Sequence, residues 1–125
     1  MVSGGGPPKA GLEFLRRHLA EAEELYRRGD LRRAGERYWR VVLALLEAAA
    51  EERGWSRRDL EEVVERLSEQ LGEPLGPLFA GAARLRADYP CRLSRLNFEA
   101  HREQALELAE KLRALLGGRA GGDRC

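Results

Sequence analysis

Apolar residues recur every three or four positions through most of this chain, the spacing that lays them along one face of an α-helix. Leu12, Leu15, Leu19, Ala22 and Tyr26 form the first such face, which stops at Gly29. Asp30 then suits the cap of a second helix, because its carboxylate accepts from backbone N–H groups left unpaired in a first turn. Gly29-Asp30 is therefore read as a tight helical hairpin. The second helix is expected from about Leu31 to Arg53. Leu31, Ala34, Tyr38, Val41, Val42, Leu45, Leu46 and Ala49 cover a wide arc of it, which makes it the central, most buried element.

Gly54 suits the left-handed residue beyond that helix, and Ser56 with Asp59 reads as a reciprocal cap for a third. Leu60, Val63, Val64, Leu67 and Leu71 are its stripe, and Gly72 ends it. Glu73-Pro74 and Gly76-Pro77 punctuate a short fourth helix reaching about Asp88, and Tyr89-Pro90-Cys91 is a break. A last helix begins between Ser94 and Phe98 and carries Ala105, Leu108, Ala109, Leu112, Leu115 and Leu116 on one face until Gly117. No segment alternates with a period of two. The expectation is an all-α, up-and-down antiparallel bundle of four to five helices, its neighbours set antiparallel by short connections.

The chain has 125 residues, room for one domain. Residues 1–8 and 117–125 are rich in glycine or proline and lack an apolar period, so flexible tails are expected there around a single domain at 9–116. The longest nearly uncharged run, Val41 to Leu46 and its alanines, falls far short of the roughly 20 apolar residues that span a bilayer. No secretory h-region is visible at the N-terminus, so a cytoplasmic location and no membrane partner are expected. Twenty-two basic residues nearly cancel 21 acidic ones, leaving a formal charge of +1 and no global field to draw nucleic acid. Arginine and glutamate dominate those charges, a bias that fits a thermophilic or GC-rich source. Cys91 and Cys125 have no metal-ligand spacing, so neither a metal nor a cofactor is expected.

Three strings invite chemistry. LYRRGDLRRAGERYWRVV resembles one tetratricopeptide hairpin, which would make a peptide-binding adaptor, but no second copy stands at the repeat offset. The pairs Arg16-Arg17, Arg27-Arg28, Arg32-Arg33 and Arg57-Arg58 can form a basic rim for phosphates, although interleaved glutamates make a solvated, ion-paired face the simpler account. Arg95 and His101 supply a cation that can hold a phosphate and an imidazole that can act as acid or base. On an ideal helix they stand about 120° from facing, so Arg95 must lie in the first turn or reach around it. His101 also falls on the last helix's apolar stripe, where a histidine more often packs than reacts.

LAEAEELYRRGDLRRAGERYWRVVLALLEAAAEERGW and SRLNFEAHREQALELAEKLRALL resemble the archaeal PaREP family, most specifically at Gly29-Asp30, Ala34, Tyr38-Trp39 and Asn97-Phe98. That family is similar to the HEPN-like superfamily of helical bundles. The resemblance implies a homodimeric cytoplasmic bundle acting as an interaction or nucleic-acid-linked module, sometimes partnered by a small nucleotidyltransferase. For the nuclease members it implies metal-independent cleavage of RNA, with Arg95 and His101 in the catalytic spacing and Leu96 where a polar residue usually follows the arginine.

Overall fold

The structure, a computed structural model, describes the backbone of residues 6–87 and 95–124 and the side chains of 13–86 and 97–116. It is all-helical over those residues, with α1 Gly6–Arg27, α2 Leu31–Arg53, α3 Leu60–Leu71, α4 Gly76–Ala87 and α5 Arg95–Arg124. The expected Tyr89-Pro90-Cys91 break and both cysteines lie outside the described residues, as do positions 1–5.

The punctuation works as the residue types require. Gly29, Gly54 and Gly72 adopt φ of 84°, 75° and 74°, where a side chain would clash with the following carbonyl. Asp30 caps α2 by accepting from Arg33 N at 3.3 Å. Asp59, not Ser56, caps α3, accepting from Glu62 N at 3.3 Å. Ser56 instead closes a local turn by accepting from Arg58 N, so the helix starts three residues later than a Ser56 cap would place it. At the other end of the chain the helical backbone of α5 continues past Gly117 to Arg124, beyond the end of the apolar period.

Residue pairs along the seams give the helix directions. Gly35 meets Phe98 and Tyr38 meets Arg102, so α2 and α5 run the same way. Tyr26 meets Glu99 and Glu23 meets Arg102, so α1 runs against α5. Helix α2 is the hub, packed against each of the other four helices. Its expected face is buried apart from Leu31 at its start, which is half-buried: Ala34, Tyr38, Val41, Val42, Leu45, Leu46 and Ala49 are at most 3% exposed. Trp39 joins them, against Phe79 of α4 at 5.6 Å between ring centroids. Phe98, Ala105, Leu108 and Leu112 complete the core from α5, and Val63, Val64 and Leu67 from α3.

Gly35 explains how closely the helices approach. A Cβ there would sit 2.9 Å from the Leu85 carbonyl oxygen and 3.3 Å from Phe98 Cε1, so the bare backbone of α2 lets α4 and α5 seat against it together. The packing leaves α1 held mainly by α2. Among the described residues, α1 and α5 meet through side chains.

Candidate functional site

The bridge between α1 and α5 begins from a buried phenol. Tyr38 is 1% exposed, and a buried hydroxyl without a partner is costly. Arg102 supplies that partner: its Nε donates to Tyr38 Oη at 2.7 Å while its second nitrogen, Nη2, donates to Glu23 Oε1 at 2.6 Å. The guanidinium also lies over the Tyr26 ring, 4.2 Å from the centroid, and 5.6 Å from that of Tyr38. Tyr26 in turn donates to Glu99 Oε2 at 2.6 Å and stacks on Phe98 at 5.8 Å. Burial pushes the Tyr38 phenol well above its ordinary range. Burial opposes the Arg102 charge, but its hydrogen bonds to Tyr38 and Glu23 outweigh this and raise its pKa. Both groups thus keep their protons throughout the physiological range, which suits a fixed strut rather than a proton shuttle.

Beyond this strut runs a groove of about 540 Å³. Val41 and Leu45 of α2 floor it, Leu15 and Leu19 of α1 form one wall, and Leu106 and Ala109 of α5 form the other. Arg16, Glu110 and Arg113 stand on its rim. The volume falls in the range of ligand or helix-binding clefts, roughly 300 to 1,000 Å³.

His101 faces away from both. It is half-buried, and its Nδ1 lies 2.9 Å from Gln104 Oε1 one turn along α5. Gln104 packs against Gly81 of α4, in space a Cβ at that position would occupy. The imidazole therefore belongs to the seam between α4 and α5. Arg95 is the first residue of α5, where the sequence spacing requires it to be for any approach to His101, but its side chain lies outside the described residues. Among the described residues no group of histidines, cysteines and carboxylates can hold a metal ion.

The expected basic rim is only partly free. Arg27 pairs with Glu24 at 3.0 Å and Arg33 with Asp30 at 3.7 Å, both exposed contacts of small energetic weight. The other histidine, His18 on α1, packs its ring 4.1 Å from that of Phe14 and buries Nδ1 with no hydrogen-bond partner. Sequence spacing alone sets His18 at the edge of the α1 stripe and offers it no partner. It missed Arg102 altogether, although the need of a core tyrosine for a polar partner was a signal that one should exist.

The fold and its strut define a small all-α bundle braced by side chains across an open α1–α5 seam. The model of the Archaeal PaREP1/PaREP8 family matches residues 10–111, and the chain belongs to that family. No curated protein and no solved structure matches it.

Proposed function

We propose that this protein is an interaction module that works as a homodimer, in the manner of HEPN-like bundles, with the groove between α1 and α5 as its seat of association. The observation that carries this reading is the groove itself: a lined apolar channel on the hub helix that the chain's own described side chains leave open. Leu15, Val41, Leu45 and Ala109 are buried at its base, and the half-buried Leu19 and Leu106 are the apolar surface on its walls that a partner would cover. The rim carries both signs of charge, Arg16 and Arg113 with Glu110, which is what a two-fold pairing needs, because the same patch must complement itself.

The test is light scattering at micromolar concentration, beside the variant Leu106→Glu, which places a charge in the α5 wall. A mass near twice the 14.1 kDa of the chain, returning toward the single mass in the variant, supports the reading. A wild-type protein that is monomeric throughout the micromolar range sinks it. A small nucleotidyltransferase as a second partner would use what the dimer leaves exposed.

A further inference from the structure

On the opposite edge of α1 from the groove, the α1–α2 hairpin carries a different kind of surface. Phe14 is 45% exposed, the one large hydrophobic side chain so exposed among the described residues. Its ring is backed by His18 at 4.1 Å with a tilt of 54°, which fixes its orientation. Three guanidiniums act on His18, Arg17 from the next turn of α1 after Phe14 and Arg37 and Arg40 from α2. All three are close enough to His18 to bias it toward its neutral form, together with the burial that dominates that bias. Glu21 is engaged by Arg37 in an ion pair, while Glu13 and Glu36, one helical turn before Arg17 and Arg40, are exposed and make no ion pair with them. Arg17 and Arg40 are exposed and make no ion pair among the described residues.

An exposed aromatic ring beside unpaired guanidiniums matches a recurring solution for single-stranded nucleic acid. A base stacks on the ring, and the flanking phosphates meet the cations. Duplexes do not fit this chemistry, because their bases are already stacked on one another. We infer that the face formed by Phe14, His18, Arg17 and Arg40 is a binding site for a single-stranded nucleic acid, with a base stacked on Phe14 and phosphates at Arg17 and Arg40. Neutral His18 serves as the packed support of the ring. The site does not involve the α1–α5 groove, so it stands or falls separately from the dimer.

The test is fluorescence anisotropy of the full chain with labelled oligouridylate, oligothymidylate and a duplex of matched length, across a salt series. Wild type is expected to bind both single strands more tightly than the duplex. Phe14→Ala is expected to weaken single-strand binding about tenfold or more, from the loss of one stacked base, and Phe14→Tyr to retain it. Arg17→Gln with Arg40→Gln is expected to flatten the salt dependence by about two phosphate contacts. Preference for uridylate over thymidylate identifies RNA as the source of the strand, and equal binding identifies backbone and stacking alone; both support the site. Absence of single-strand binding by wild type, or equal binding by wild type and a folded Phe14→Ala, overturns it. So does duplex binding as tight as single-strand binding.

Discussion

Arg102 Nε lies 2.7 Å from Tyr38 Oη, so a charge on α5 satisfies a hydroxyl sunk in the core face of α2. The same guanidinium holds Glu23 of α1, and three helices meet at one planar group that donates along fixed directions. This relationship converts a loosely seated α1 into part of the bundle.

Removing either partner has unequal consequences. Tyr38→Phe deletes the acceptor but leaves Arg102 with Glu23 and some access to water, so a loss of about 1 kcal/mol is expected. Arg102→Ala orphans the buried phenol and the half-buried Glu23 and takes the cation from over Tyr26, and roughly 2 to 3 kcal/mol should go. Chemical denaturation of both variants checks the ranking. Equal losses would mean that the phenol, not the guanidinium, organises the strut.

Gly35→Ala tests the close approach of α2, α4 and α5. In an exposed helix interior, alanine in place of glycine gains about 1 kcal/mol of helix propensity. Here the added methyl meets the Leu85 carbonyl oxygen at 2.9 Å, a backbone atom that cannot swing aside, and Phe98 at 3.3 Å. Overpacking of this kind costs about 1 to 3 kcal/mol, so a net lowering of the thermal midpoint is expected despite the propensity gain. A raised midpoint would show that α4 yields at this point.

The helices were legible because their punctuation is chemical and local: three glycines at positive φ, two aspartate caps and an uninterrupted stripe on α2. Asp59 rather than Ser56 took the α3 cap, because both offer an oxygen and only packing decides which turn becomes the first. The strut was not legible. Arg102, Tyr38 and Glu23 lie 64 and 79 positions apart, and no local period connects them. His101 was singled out on spacing alone, whereas its actual neighbour Gln104 is set by how α4 meets α5 at Gly81. Phe14 stands off the apolar face of Leu12, Leu15, Leu19, Ala22 and Tyr26, but the sequence does not show that His18 packs against its ring.

His18 should leave a mark on acid stability. Burial first, and then Arg37, Arg40 and Arg17, hold its pKa below the ordinary 6.5. The unfolded chain therefore binds the proton at a pH where the folded chain does not, and folding stability rises with pH in that window. The contribution is fully present above about 6.5 and is lost as pH falls from there through the lower, folded value. Glu21, already engaged by Arg37, does little to offset the cations. Denaturation midpoints between pH 7 and 5 are expected to decline in wild type and to decline less in His18→Phe, which cannot titrate. Parallel declines would assign the effect to carboxylates elsewhere.

His101→Ala separates packing from catalysis. The imidazole shares a hydrogen bond with Gln104 at 2.9 Å in the α4–α5 seam, and truncation removes that bond and opens a small void. A stability loss of about 1 kcal/mol or somewhat more is expected, a few degrees or more in the thermal midpoint for a domain of this size. His101→Gln, which keeps a polar group near Gln104, should recover part of it. The rival reading, in which Arg95 holds phosphate and His101 moves the proton, makes a separable forecast. A folded His101→Ala would then lose cleavage of a mixed RNA pool in chelator, and His101→Gln would fail to restore it, because an amide cannot exchange protons near neutrality. On the interaction-module reading, wild type and both variants give the same background in that assay. Stability then tracks the side chain at 101 while cleavage does not.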